Sequence, residues 1–189
     1  MDGVLVYEGE KPLYKYVEYV RGKENIQNVP NLIYKLDGEI IQNVIQEFDI
    51  NDTDLPDYRG INMDHYFSPE KIISVISSKG CHWAKCTFCT QHLISGRGVY
   101  VEKDLDKLTE EIIRLKKMYG TSYFWFNDTS IEASRLEKIA NQLIKNSCDI
   151  IWRCESRLDS KLSNQIIEKI AKSGCKKIGF GMESGSNKF

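Results

Sequence analysis

Cys81, Cys86 and Cys89 fall within nine consecutive positions of the stretch GCHWAKCTFC, and His92 follows three residues after the last of them. Three thiolates that close together are a soft donor set, suited to zinc or to iron–sulfur chemistry. Structural zinc takes four ligands, and Cys81, Cys86, Cys89 and His92 make a Cys3His set. The usual zinc site, however, joins two separated ligand pairs, whereas here all four residues share one loop. An iron–sulfur cube holds four irons, which soft thiolates suit. Three thiolates leave one iron open, as a catalytic site does. A redox dithiol of Cys86 and Cys89 leaves Cys81 without a role. Unliganded buried thiols fit poorly in a loop that also holds His82 and Lys85.

The elements that must carry this loop follow from the pattern around it. The run KIISVIS predicts a strand covered on both faces, ending just before the cysteines. Leu105, Leu108, Ile112, Leu115 and Tyr119 recur at helical spacing, and Gly120 stops that helix. SYFWFND predicts a second strand. Ser134 and Glu137 are spaced as a capping box opening a second helix, whose apolar face is Leu136, Ile139, Ala140, Leu143 and Ile144. DIIWRCE predicts a third strand. A third helix on Leu162, Ile166, Ile167 and Ile170 ends at Gly174, and KKIGFGME predicts a fourth strand. Alternating strands and helices imply a parallel sheet in strand order 1-2-3-4. Such sheets bind ligands at the carboxyl ends of their strands. There fall the cysteine loop, Asn127 with Asp128, Glu155, and Glu183 with Ser184. Four strands leave the last one as an edge. The inner face of the sheet reads as apolar from IISVI, YFWF, DIIW and KIGF. Trp125, Trp152, Cys148, Cys154 and Cys175 read as core.

Residues 1–60 read differently. VLVYEGE is a short strand, Pro12 to Val20 a modest helix, and NLIYKLDGEIIQNV a hairpin turning at Asp37-Gly38. FDINDTDLPDYRG is polar, contains a proline, and reads as a linker, with a boundary near residue 60.

Composition bounds the rest. The chain has 189 residues, 41% of them hydrophobic and 28% charged, as a globular chain of one or two domains does. With 26 basic and 27 acidic residues the net charge is −1, which offers no electrostatic case for nucleic acid or an anionic membrane. No apolar run approaches the roughly 18 residues of a membrane span. Six cysteines without a secretory signal point to a reducing compartment, the cytoplasm.

SSKGCHWAKCTFC resembles the cluster loop of radical S-adenosylmethionine (SAM) enzymes, whose first barrel strand ends in three cysteines, the last preceded by an aromatic. The commoner spacing in that family is three residues and then two, against four (His82 to Lys85) and then two here. The longer spacing is similar to that of a subgroup carrying cobalamin-binding domains, which includes enzymes acting on ribosomally made peptides. FWFNDTS and IGFGMESGS are similar to the family's second- and fourth-strand segments. Residues 1–60 are similar to the tail of a cobalamin-binding domain and its linker.

The resemblance implies a fold and a set of roles. The fold is α/β: residues 61–189 are the first half of a TIM-like (β/α) radical SAM barrel, about four parallel strands, preceded by a small α/β remnant. Cys81, Cys86 and Cys89 would each bind one iron of a [4Fe–4S] cluster, and SAM would take the fourth. Phe88 would lie against the adenine; as a plain residue it would simply pack. Asn127 and Asp128 would meet the SAM ammonium; otherwise they are a turn or cap. Glu183 and Ser184 would meet the ribose or amino acid end of SAM; otherwise they are a solvated loop. Glu155 and Arg157 lie at the same end without an assigned role. The implied chemistry is a 5′-deoxyadenosyl radical abstracting hydrogen from a peptide or small-molecule substrate, with a flavodoxin- or ferredoxin-like electron donor. Cobalamin belongs to the expected full-length protein and not to this chain alone, which reads as a fragment. A zinc-stabilised Cys3His module and an inactive remnant of the fold are the other readings.

Overall fold

The computed structural model describes residues 3–91 and 99–186, so His92 lies outside the described residues. The amino-terminal part holds strand β1 (Gly3–Leu5), helix α1 (Glu10–Val20) and the hairpin β2 (Leu32–Leu36) and β3 (Glu39–Gln42). The three strands form one antiparallel sheet in order β1-β2-β3. The hairpin turns at Asp37 and Gly38, which have φ of 50° and 91°, as a primed two-residue turn requires. Val29, Leu32 and Tyr34 form a small core here, packed by Leu5, Tyr16, Tyr19, Ile26 and Ile41.

The segment between this sheet and the larger one is packed, not loose. Ile50 is buried, and Leu55 and Tyr58 lie against the main core. The Tyr58 amide donates to the Tyr119 hydroxyl at 2.7 Å, and the two rings meet edge to face.

The main sheet is four parallel strands in the order β4 (Ile72–Val75), β7 (Tyr123–Phe126), β8 (Ile151–Ser156) and β9 (Cys175–Phe180). This is the predicted order and direction. Helices α2 (Leu105–Tyr119), α3 (Ala133–Lys145) and α4 (Asn164–Lys172) connect them. Helix α2 begins where Asp104 accepts from the amides of Asp106 and Lys107, and stops at Gly120 in the left-handed region. One core joins the helices to one face of the sheet, through Ile73, Val75, Phe124, Phe126, Trp152 and Cys154 on the strands.

Several expectations are corrected. The Ser134–Glu137 capping box does not form: Glu132 holds the cap position and helix α3 starts at Ala133, so Ser134 lies inside the helix. Ile144 and Ile167 are exposed, one position beyond each helix's buried stripe, and Leu162 precedes α4. Trp125 belongs to the inner face, where the guanidinium of Arg153 stacks over it at 4.6 Å. That face is therefore not an apolar sheet. Strand alternation sends Phe124, Phe126, Trp152 and Cys154 to the helices, and leaves Tyr123, Trp125, Arg153, Glu155 and Lys177 on the other side. The Cys175 thiol donates to the Lys177 carbonyl at 3.6 Å, and its nearness, together with burial, pushes the Cys154 thiol up.

The first strand also carries an unexpected extension. Past Val75 the chain forms β5 (Ser78–Lys79), which pairs antiparallel with β6 (Val101–Glu102). This two-stranded ribbon brackets the segment holding the cysteines. Arg135 of α3, buried, ties it down by donating to the carbonyls of Ser77 and Lys103 and to Glu102. Lys103, also buried, pairs with Glu111 at 2.7 Å.

Candidate cluster and cofactor site

The cysteine loop leaves the ribbon at Gly80, which has a φ of 83°. A side chain there would also run into the Val99 carbonyl, so both conformation and space call for glycine. Cys81, Cys86 and Cys89 follow as free, half-buried thiols. The Cys89 amide donates to the Cys86 carbonyl at 3.3 Å, a tight turn that keeps the last two cysteines adjacent. Among the described residues no three His, Cys, Asp or Glu side chains converge on one ion-sized point. Phe88 is exposed, so it does not pack into this chain's core.

At the end of β7, Asn127 and Asp128 part company. The Asn127 amide donates to Val75 at 2.8 Å, and its side chain is exposed beside Ser78, Gly80 and Thr129. Asp128 is buried. Its carboxylate accepts from the Ser77 amide and hydroxyl and, at 2.6 Å, from the Ser78 hydroxyl. Burial, the largest influence, raises its pKa against the pull of those donors. Asp128 thus joins the end of the first strand to the second, and its carboxylate is occupied by the protein itself.

Glu155 lies at the end of β8 with its carboxylate over Gly179 of β9, where any side chain would displace it. Glu183 and Ser184 follow β9 and are exposed, and the Ser184 hydroxyl accepts from the Ser186 amide. The structure therefore brings the cysteine loop, Asn127, Glu155 and Glu183 to the carboxyl end of one parallel sheet.

Two contributors were not anticipated. Residues of the β1–α1 turn reach this end of the sheet: Tyr7, Glu8 and Glu10 line a cavity of about 590 Å³ with Lys79, Gly80 and Asn127. Lys79 pairs with Glu10 at 3.4 Å across it. Arg157, past the end of β8, stacks on Trp83 of the cysteine loop at 3.5 Å. The unlike composition of residues 1–60 hid the first contact. An arginine two residues beyond a strand-end glutamate was the only trace of the second.

A parallel β/α half-barrel with a thiol-rich loop after its first strand defines the class of protein. The radical SAM superfamily profile matches residues 75–189, and the chain belongs to that superfamily. The family brings with it a [4Fe–4S] cluster and SAM. No curated protein matches the sequence. Among solved structures, the cobalamin-dependent SAM radical enzyme OxsB with aqua-cobalamin and SAM bound is similar, at a TM-score of 0.73 and 20% identity over 98% of this chain. The radical SAM methyltransferase TsrM from Kitasatospora setae, with tryptophan substrate and a SAM analogue, is similar at a TM-score of 0.73 and 13% identity, also over 98%. At these identities the likeness is one of fold. The chain spans 28% of the length of the former and 38% of the latter.

Proposed function

We propose that this chain is the front half of the core of a radical SAM enzyme from the cobalamin-associated branch. Residues 61–189 supply that half-core, and residues 1–60 the end of a cobalamin-binding-like domain with its linker. The reading rests on one observation: the cysteine loop, Asn127, Glu155 and Glu183 meet at one end of a parallel sheet. Three half-buried free thiols in a turn suit a cluster that is dry on one side and open to a ligand on the other. Cys81, Cys86 and Cys89 would hold it.

When bound, the cluster supplies the electron that splits SAM into methionine and a 5′-deoxyadenosyl radical, which takes hydrogen from a peptide or small-molecule substrate. This chain's residues hold and orient. The exposed ring of Phe88 offers a face to adenine. The Asn127 side-chain oxygen accepts from an ammonium. Glu183 and Ser184 accept from ribose hydroxyls or bind the amino acid end. Asp128 acts through Ser77 and Ser78, fixing the strand end from which the loop departs. Methylation is the reaction class we favour, and a flavodoxin- or ferredoxin-like protein the electron donor. Cobalamin is not held by this chain alone.

Anaerobic reconstitution tests the reading. We expect iron and sulfide with an oxygen-labile brown colour, lost in Cys86→Ala and kept in His92→Ala. One zinc and no iron would overturn it.

A further inference from the structure

The four residues that fill the first cysteine spacing, His82 to Lys85, tie the loop to the rest of the molecule. His82 sets Nδ1 3.4 Å from the Ser130 carbonyl and its ring edge-on to Tyr100. A carbonyl only accepts, so Nδ1 carries the proton in that contact. Trp83 receives the Arg157 guanidinium at 3.5 Å and the Lys85 ammonium at 5.1 Å from its ring centre. Ala84, between them, takes a left-handed φ of 48°, a conformation that a β-carbon disfavours and that its surroundings must hold. Ser130 follows the second barrel strand and Arg157 the third. The loop is thus tied to two neighbouring strand ends by residues other than its thiols.

We propose that Arg157 is a positioning residue for the cluster. Stacked on Trp83, it holds His82–Lys85 against the end of β8 and so sets where Cys81 and Cys86 stand before any iron arrives. It also fixes a permanent positive charge beside the loop, since a guanidinium does not deprotonate in proteins. A cluster held by three thiolates becomes more negative on reduction, and a nearby cation favours that step. The inference rests on the cluster assignment above, so its test begins on cluster-free protein.

The first arm reads Trp83 alone. In a Trp125→Phe background the remaining tryptophan, Trp152, is 1% exposed and out of reach of a quencher. Arg157→Ala should raise acrylamide quenching of Trp83 about two- to fivefold, the weight of one exposed cation–π stack, with circular dichroism unchanged. The second arm follows the reconstituted cluster by electron paramagnetic resonance and redox titration. Arg157→Ala should lower the reduction potential and the iron content. Arg157→Lys keeps the charge without the planar stack, so it should quench like alanine and hold a potential near the parent's. Unchanged quenching in Arg157→Ala overturns the stack. Increased quenching with an unchanged potential and iron content reduces it to packing and overturns the positioning role. Iron absent from parent and variants alike, with the quenching difference intact, overturns the cluster assignment and not the stack.

Discussion

Asp128 sits one position past Asn127, and the two face opposite ways because successive positions of an extended chain alternate. Its carboxylate is held by Ser77 and Ser78, so Asp128→Ala leaves three donors without their acceptor. We expect that variant to lose roughly 1–3 kcal/mol in urea unfolding. The pH dependence has a definite sign. Burial raises the carboxyl above its ordinary value, so the native chain keeps the proton to higher pH than the unfolded one. The group therefore favours folding most below the unfolded value of about 3.9, and that stability is lost as pH rises through the folded pKa. Asp128→Asn removes this slope. Its stability relative to the parent should climb from acid pH and level off above the folded pKa. The opposite trend in urea midpoints would mean that Ser77 and Ser78 outweigh burial.

At the scale of elements, two glycines that look alike in sequence do different work. Gly80 and Gly120 both have positive φ. A β-carbon at Gly120 meets nothing, while one at Gly80 meets the Val99 carbonyl across the β5–β6 ribbon. Gly120→Ala should cost about 1 kcal/mol, the value of a left-handed helix stop, and leave iron uptake unchanged. Gly80→Ala should cost roughly 1–3 kcal/mol and reduce iron uptake, because the ribbon must shift where the loop departs. Equal iron content in the two variants would show that the ribbon does not position the thiols. The hydrophobic spacing that located α2 was legible because Leu108, Ile112 and Leu115 all face the one core. The start of α3 was not, because its cap residue, Glu132, makes no side-chain capping bond and Ser134 falls inside the helix.

For the whole molecule the open edge matters most. Four parallel strands do not close a barrel, and β9 is hydrogen-bonded on one side only among the described residues. Unpaired edges invite association, and lysines blunt them. Here Lys176 and Lys177 stand exposed on that strand. We expect the isolated chain to self-associate through β9, more strongly as salt screens those charges. A Lys176→Thr, Lys177→Thr variant should associate at lower concentration in sedimentation velocity. A monomer at all salt concentrations, yielding 5′-deoxyadenosine from SAM at the rate of a full-length relative, would show that four strands suffice.

The sequence by itself determined the run of elements from Ile72 to Phe180, their parallel order, and which chemical groups fall at the strand ends. Apolar periodicity and glycine stops are local, and a β-α repeat has essentially one handedness of connection. The hairpin at Asp37-Gly38 was legible for the same reason, since a two-residue turn carries its own conformational demand. What lay beyond local pattern was decided only by the tertiary structure. It buried Asp128 beneath Ser77 and Ser78, turned Trp125 to the inner face away from the helices, set Glu155 over Gly179, brought Glu10 to Lys79, and placed Arg157 on Trp83. Each is a contact between positions far apart in the chain, where residue type permits many partners and only the packing of strands and helices selects one.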